Sequence, residues 1–204
     1  ADGTLAEREQ LGVTCLNVGC IPTKCLLHSA ELLSQIREQG AEIGVRVTGA
    51  EVDFPQVIAH KDAVSKKLTG GIANLLKNNK VARVDGTAEF TAPGRLLVKK
   101  SDGTEEEMTA DKIILATGSI NAVPPIPGIR ENENCIDSTG ALSLDHLPAS
   151  MIVIGGGGIG LGIACASAAF GTKITCGGDD ARHAAHDGWR ADPPGPAPHA
   201  QDGH

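Results

Sequence analysis

Two stretches of the chain carry apolar residues at helical spacing. The first predicts a helix over 22–40, with Pro22 in its opening turn and Gly40 at its end. The second predicts a helix over 54–78, which Gly70-Gly71 is expected to bend. The apolar positions are Leu26, Leu27, Ala30, Leu33 and Ile36 in the first helix, and Val57, Ile58, Val64, Leu68, Ile72, Leu75 and Leu76 in the second.

Shorter apolar or alternating runs predict strands elsewhere in the chain. Pro93-Gly94 and Asp102-Gly103 are expected to turn the chain between three of them. The run 112–116 is apolar after Lys112, and 151–154 is apolar throughout, which is typical of a buried strand. After 151–154 a glycine loop leads into a helix of small residues that ends at Phe170. The predicted strands are 4–7, 45–47, 81–84, 87–90, 95–99, 106–109, 112–116, 151–154 and 173–176.

Composition and charge narrow the classes of function. Of the 204 residues 41% are apolar, but only three are Phe, one is Trp and none is Tyr, so the core must be aliphatic. The net charge of −7 comes from interspersed acidic and basic residues, which offer no face for nucleic acid. No apolar run approaches the roughly 20 residues that a membrane span needs. We therefore expect neither a nucleic-acid nor a membrane partner.

The composition changes abruptly at Gly177. The segment 177–204 contains no Ile, Leu, Val, Met or Phe, but it holds four Pro, five Gly and four His. Such a segment cannot bury enough apolar surface to fold, so we expect a disordered or non-native tail, either vector-derived or read from a shifted frame. His183 and His186 are too few ligands in such a tail to indicate a metal site.

The most informative feature is a pair of cysteines five positions apart, Cys15 and Cys20. Their separation is wider than the Cys-x-x-Cys of thioredoxin-like or zinc sites. Because one helical turn takes about 3.6 residues, the sulfurs can meet only across a distorted turn, for which Gly19 supplies the backbone freedom. Lys24 places a positive charge one turn further on, where it would favour a thiolate or an anionic cofactor. This arrangement suits a disulfide that opens and closes.

The other four cysteines stand among apolar neighbours and are expected to behave as small hydrophobes. Cys25 continues the five-residue spacing to a third sulfur, but that spacing matches no common zinc pattern, so we predict no metal site. Six cysteines without the arrangement of a secreted disulfide framework favour a reducing compartment and one catalytic disulfide. These four are Cys25, Cys135, Cys165 and Cys176.

A glycine pattern, Gly155-x-Gly157-x-x-Gly160, follows the apolar run 151–154 and opens the helix of small residues. In this context the glycines allow a sharp turn and let backbone N–H groups approach a pyrophosphate at the helix N-terminus. The alternative is a close-packed turn between strand and helix that binds no ligand. With the cysteine pair upstream, we favour the nucleotide interpretation.

The stretch 15–24, Cys-Leu-Asn-Val-Gly-Cys-Ile-Pro-Thr-Lys, resembles the redox centre of the flavin-dependent pyridine nucleotide–disulfide oxidoreductases, and the resemblance extends over 4–175. It is most similar to members that oxidise dihydrolipoamide, because glutathione and mercuric reductases usually have Val at the position of Leu16. The resemblance implies an α/β fold with two Rossmann-like dinucleotide-binding domains, both incomplete here. They would be an FAD-binding domain over 1–148, without its first strand and glycine loop, and the start of an NAD-binding domain over 149–176.

The resemblance also implies roles for individual residues. Cys15 would exchange with the substrate dithiol, and electrons would pass from Cys20 through FAD to NAD. Glu7, at the end of a strand, would hold the adenosine ribose of FAD, the alternative being a solvated loop glutamate. The other positions that match the flavin site are Thr14, Lys24, Ala88, Thr117, Gly118 and Ser119, and those that match the NAD site are Gly155, Gly157 and Gly160.

The chain departs from the family pattern at several positions. Gly162 stands where a glutamate is usual, and Gly178, beside Asp179, stands where an acidic residue would hold the ribose, which counts against tight NAD binding. Val13 replaces a glycine, so strain is expected beside the cysteine pair. No histidine matches the catalytic base of the family. The remaining histidines before the tail are expected to be structural or solvated: His28, His60 and His146.

The implied partner is dihydrolipoamide carried on a lipoyl domain of a 2-oxo acid dehydrogenase or glycine cleavage complex. The implied assembly is a homodimer, in the cytoplasm or, in a eukaryote, in the mitochondrial matrix. Two alternatives stay open. The chain could belong to another reductase of the family, such as a mercuric or glutathione reductase, or it could be a non-catalytic truncation.

Overall fold

The computed structural model describes residues 11–177. A π-helical turn, Thr14–Val18, precedes helix α1 (Cys20–Ser34), which continues as a second π-helical stretch, Gln35–Gln39. The other helices are α2 (Phe54–Asn78), the short α3 (Ser138–Ala141) and α4 (Gly158–Phe170). The strands are β1 (Gly86–Ala92), β2 (Arg95–Lys100), β3 (Glu105–Thr109), β4 (Ser150–Ile154) and β5 (Lys173–Gly177).

The strands form two sheets. Strands β1, β2 and β3 make an antiparallel sheet in sequence order, with turns at Gly94 (φ +73°) and Gly103 (φ +82°). Strands β4 and β5 are parallel and are joined by α4, which gives a β–α–β unit. In their register Val153 lies opposite Cys176 and Ile154 opposite Gly177.

The core lies where α1, α2, α3 and α4 meet. Phe54 and Phe170 anchor it with an edge-on contact, their ring centroids 6.1 Å apart. Asp53 caps the N-terminus of helix α2, and its side chain accepts a hydrogen bond from the Gln56 N–H at 3.1 Å. The buried residues of this cluster are Leu26, Ala30, Leu33, Phe54, Leu142, Ile163, Ala166 and Phe170.

Most predicted elements are confirmed. Both long helices are present, and α2 runs through Gly70-Gly71 without a break. Strands occupy 87–90, 95–99, 106–109, 151–154 and 173–176 as expected, each within one residue or two of the predicted bounds. The α/β fold is therefore confirmed, since a parallel β–α–β unit and an antiparallel sheet accompany the helices.

Three predicted strands are wrong: 45–47, 81–84 and 112–116 form no strand in the structure. The clearest case is 112–116, where Ile114 is 90% exposed and Leu115 67% exposed. An extended run becomes a strand only when a neighbouring strand takes up its backbone hydrogen bonds, and within 11–177 this run has no such neighbour. The apolar pattern indicates a tendency to be buried. Whether the run also finds a partner strand depends on residues elsewhere in the chain.

Burial of β4 and α2 also differs from the expectation. Only one face of β4 is covered, so Ile152 is 75% exposed while Met151 and Val153 are half-buried. In α2, Val57 and Ile58 pack on the core, but Leu68 and Leu75, predicted to point inward, are exposed. The apolar pattern predicts this helix correctly, but only the first half of α2 packs against the core.

A lysine that the pattern did not predict to be inside lies in this core. Lys61 is 5% exposed, and its ammonium group donates a hydrogen bond to the Leu142 carbonyl at 2.8 Å. The same nitrogen lies 2.7 Å from a carboxylate oxygen of the exposed Asp62. Both contacts compensate the charge, which is the condition for burying a lysine.

Some expectations lie outside the described residues. They are the strand over 4–7 with Glu7, the position of Gly178 and Asp179, and the tail with His183 and His186. None of the helices within 11–177 is long and apolar enough to cross a membrane.

Candidate active site

The two cysteines of the pair meet at the start of α1. The π-helical turn Thr14–Val18 provides the distortion that their five-residue spacing requires, since a π-helix bonds residue i to residue i+5. The Cys15 thiol is hydrogen-bonded to the Cys20 side chain, and the Cys20 backbone N–H also donates to the Cys15 sulfur. Both residues are exposed, and both are free thiols. We call the segment 12–20 the dithiol turn.

Asn17, between the cysteines, hydrogen-bonds back to the backbone at the start of the dithiol turn. Its side-chain amide donates to the Val13 carbonyl at 2.9 Å and to the Leu11 carbonyl at 3.0 Å. The sequence analysis missed this role. The available signal was an amide side chain in a turn that has few other donors for its carbonyl groups.

Two backbone features of the dithiol turn follow from its tight path. A Cβ on Gly19 would lie 2.8 Å from the Thr14 carbonyl oxygen, so only glycine fits where the chain passes Thr14. Val13 has φ +40°, a conformation that β-branched residues avoid. The strain expected at Val13 is therefore present, directly before the turn that carries Cys15.

The pKa of the Cys15 thiol is raised above that of an ordinary cysteine. The first cause is its hydrogen bond to Cys20, followed by slight desolvation and the negative charge that Cys20 carries when ionised. The positive charge of Lys24 and the Cys20 N–H act in the opposite direction. Lys24 is therefore close enough for its charge to act on the Cys15 sulfur.

The segment 154–160, which we call the glycine turn, joins β4 to α4. Gly155 has φ +110°, and its N–H donates to the Gly177 carbonyl at 2.8 Å. A Cβ on Gly160 would lie 3.0 Å from the Gly155 carbonyl oxygen and 3.2 Å from Val153 Cγ1, so the helix packs closely on the strand. These are two of the three roles that glycines take in a dinucleotide-binding turn.

Gly157 differs from the other two glycines because nothing in the protein approaches it. A Cβ built there would meet open space, and Gly157 forms the N-cap of α4 without any side-chain cap. The first backbone N–H groups of α4 therefore have no capping side chain, and the space beside the Gly157 Cα is open. This fits the pyrophosphate of a dinucleotide.

Gly162, the residue found where the family has a glutamate, lies at the crossing of α4 and α1. A Cβ there would approach Thr23 Cγ2 to 3.2 Å and Leu27 Cδ1 to 3.9 Å. The small residue therefore lets the helix that carries Cys20 pack against the helix that begins at the glycine turn.

The remaining predicted site residues lie on other elements. Ala88 is in β1 opposite Val98, and 117–119 has no regular secondary structure, with Gly118 at φ +80°. Within 11–177 no hydrogen bond links these residues to the dithiol turn. The structure thus brings together Thr14, Cys15, Cys20 and Lys24, and separately Gly155, Gly157 and Gly160.

The three histidines expected to be structural or solvated are exposed: His28, His60 and His146. His146 contacts the neighbouring Asp145, and His60 lines a groove of about 420 Å³ between α1, the segment 50–53 and α2. No predicted site residue lines this groove.

Residues 2–177 match the family described as pyridine nucleotide-disulphide oxidoreductase. Over 172 residues the chain is 42% identical to dihydrolipoyl dehydrogenase 1, mitochondrial, of Arabidopsis thaliana, an alignment that covers 84% of this chain and 34% of that protein. Dihydrolipoyl dehydrogenase of Geobacillus stearothermophilus is 41% identical, with 84% and 36% covered. Leghemoglobin reductase of Vigna unguiculata is 39% identical, with 84% and 32% covered.

Among solved structures, the HOCl-induced flavoprotein disulfide reductase RclA from Escherichia coli is similar in fold and sequence. The TM-score is 0.64 at 34% identity, and the match covers 81% of this chain and 33% of that chain. The chain therefore spans about a third of the length of the relatives it matches.

Proposed function

This chain belongs to the pyridine nucleotide-disulphide oxidoreductase family, and from that premise we propose that it is part of a dihydrolipoyl dehydrogenase (dihydrolipoamide dehydrogenase). The enzyme would oxidise dihydrolipoamide to lipoamide and pass two electrons through a Cys15–Cys20 disulfide and FAD to NAD. One observation carries the proposal: the two thiols of the dithiol turn are exposed and hydrogen-bonded to one another.

The chemistry proposed for the cysteines is thiol–disulfide exchange. A substrate thiolate attacks the sulfur of Cys15, the Cys15–Cys20 bond breaks, and Cys20 leaves as a thiolate. The second substrate thiol then attacks the substrate sulfur bound to Cys15, which forms the substrate disulfide and releases Cys15.

Flavin and pyridine nucleotide are the cofactors of this family, and the chain carries residues suited to both. When bound, the flavin supplies two-electron chemistry that no side chain provides, and the nicotinamide supplies a hydride acceptor. We assign the FAD site to Glu7, Thr14, Lys24, Ala88 and 117–119, and the NAD pyrophosphate to Gly155, Gly157 and Gly160. Lys24, one turn beyond Cys20, would hold negative charge beside the flavin.

We extend the proposal to organisation and partners. The FAD-binding domain would occupy 1–148 and the NAD-binding domain would begin at 149, next to the start of β4 at Ser150. The whole protein would be a homodimer that receives dihydrolipoamide from a lipoyl domain of a 2-oxo acid dehydrogenase or glycine cleavage complex. Its compartment would be the cytoplasm or the mitochondrial matrix, since relatives include bacterial and mitochondrial proteins.

The test measures flavin absorption and the pairing of the cysteines in the purified chain. After mild oxidation followed by dihydrolipoamide, alkylation and peptide mass should show Cys15 and Cys20 passing from paired to labelled. A bound yellow chromophore should gain a long-wavelength charge-transfer band on two-electron reduction. Cys15→Ser should abolish both changes, whereas Cys25→Ser, in the helix that begins at Cys20, should leave them intact. Two thiols that never pair would overturn the proposal.

The alternatives are separated by substrate. NADH formation from dihydrolipoamide and NAD by the whole protein supports the dihydrolipoyl dehydrogenase assignment. NADPH consumption with oxidised glutathione or mercuric ion would assign another reductase of the family instead. A chain that pairs its thiols but stays colourless and inactive would be a truncation whose function requires the rest of the protein.

A further inference from the structure

The segment 112–123, which contains the residues 117–119 assigned to the flavin site, has few contacts with the rest of the molecule. It forms no strand, and its Ile114 is 90% exposed. Within 11–177 the only hydrogen bonds that join this segment to another element are those of the Asn121 side chain. The placement of 117–119 therefore depends chiefly on what Asn121 binds.

Asn121 binds the start of the short helix α3. Its side-chain amide donates to one carboxylate oxygen of Asp137 at 2.5 Å and to the Thr139 hydroxyl at 3.3 Å. The other carboxylate oxygen of Asp137 accepts the Gly140 N–H at 2.9 Å, so Asp137 is also the N-cap of α3. One carboxylate thus joins the segment 112–123 to the N-terminus of this helix.

Helix α3 is itself anchored in the core. Leu142, its C-cap, is 2% exposed and belongs to the core cluster. The Leu142 carbonyl accepts the hydrogen bond of the buried Lys61 ammonium group at 2.8 Å. The partner of Asn121 is therefore held in place by the core at one end of α3 and by its own capping bond at the other.

We propose that Asn121 and Asp137 are positioning residues for the flavin, because their hydrogen bond holds 117–119 in place. We call this hydrogen bond the latch. Gly118 in this stretch has φ +80°, and a glycine in a segment without a partner strand has many other backbone conformations available. A tie two residues after Ser119 limits them. The inference rests on the proposed function in one respect, the assignment of 117–119 to the flavin site.

An exchange of the two side chains tests the latch. Asn121→Asp sets two carboxylates against each other and removes the hydrogen bond. Asp137→Asn alone keeps an acceptor for Asn121 and a favoured N-cap. In the double variant donor and acceptor change places, so the hydrogen bond can form again. Asn134→Asp is the matched control, since it adds the same charge nearby and the Asn134 side chain forms no hydrogen bond within 11–177.

The first measurement needs no flavin. The backbone heteronuclear NOE of 117–119, recorded by NMR on the purified chain, reports fast backbone motion. We expect it to fall in Asn121→Asp, to return to the wild-type value in the double variant and to stay unchanged in Asn134→Asp. An unchanged NOE in Asn121→Asp, or a fall that the double variant does not restore, would overturn the latch.

The second measurement is the FAD affinity of the same chains, followed by flavin fluorescence. The Kd should rise about 5-fold in Asn121→Asp, as expected for the loss of one net hydrogen bond, and recover in the double variant. Equal FAD affinity of the wild type and Asn121→Asp would overturn the positioning role even if the NOE changes. A wild-type chain that binds no FAD would count against the function proposed for 117–119, whereas the NOE would still decide the latch.

Discussion

The dithiol turn and the glycine turn occupy equivalent positions in the structure, but they expose different chemical groups. Each leads into the N-terminus of a helix whose N-cap is a glycine, Gly19 or Gly157, without a side-chain cap. The dithiol turn presents side chains, two thiols that meet each other. The glycine turn presents backbone N–H groups without a capping side chain, beside the open space at Gly157. A turn that presents side chains and a turn that presents its backbone are thus expected to be held in place by different contacts.

The support of the dithiol turn is local. Asn17 binds the Val13 and Leu11 carbonyl groups, and Gly19 passes Thr14, all within nine residues. The glycine turn depends instead on its strands, through Val153 below Gly160 and through Gly177 on β5. We therefore expect the glycine turn to be the more sensitive of the two to a change in packing.

The largest effect is expected at Gly160. In Gly160→Val the new side chain would meet the Gly155 carbonyl oxygen at 3.0 Å and Val153 Cγ1 at 3.2 Å, and neither can move freely. We expect the free energy of unfolding, measured by urea titration, to fall by about 3 kcal/mol.

Gly157→Ser is the matched control in the same turn. Its side chain would enter open space and serine is a favoured N-cap, so stability should change by less than about 0.5 kcal/mol. Binding of NAD should nevertheless weaken in this variant. Equal losses of stability for the two variants would refute the distinction between a packing glycine and a ligand glycine.

A smaller loss is expected in the dithiol turn at Asn17. Asn17→Ala removes both hydrogen bonds that close the turn and should cost about 1–2 kcal/mol of unfolding free energy. Pairing of Cys15 and Cys20 by mild oxidant should slow as well, because their turn is no longer held. The measurement is urea unfolding together with alkylation after timed oxidation.

Asn79→Ala provides the comparison for Asn17. Asn79 also donates to a backbone carbonyl, that of Leu75 at 2.8 Å, but it does so at an exposed helix end. We expect less than about 0.5 kcal/mol there and no change in cysteine pairing. If the Asn17 variant pairs its cysteines at the wild-type rate, the amide does not hold the dithiol turn.

The same contrast explains which parts of the structure the sequence could predict. The cysteine spacing, Gly19 and the glycine pattern act over a few residues, so their turns were predictable. The runs 112–116 and 151–154 looked equally buried, yet only the second meets a partner strand within 11–177, and even its Ile152 is exposed. Partners distant in sequence decide burial, and an apolar pattern does not identify them. Asn17 was missed because its hydrogen bonds appear only once the turn has its shape.

The smallest effect is expected at Val13, and it has the opposite sign. Val13→Gly relieves a β-branched residue at φ +40°, which should outweigh the entropic cost of glycine and raise unfolding free energy by about 1 kcal/mol. Lys80→Gly is the control, since Lys80 has φ +55° without β-branching and should gain less. A Val13→Gly variant no more stable than Lys80→Gly would show that the dithiol turn carries no strain of its own, and its difference from the glycine turn would then rest on the thiols and Asn17 alone.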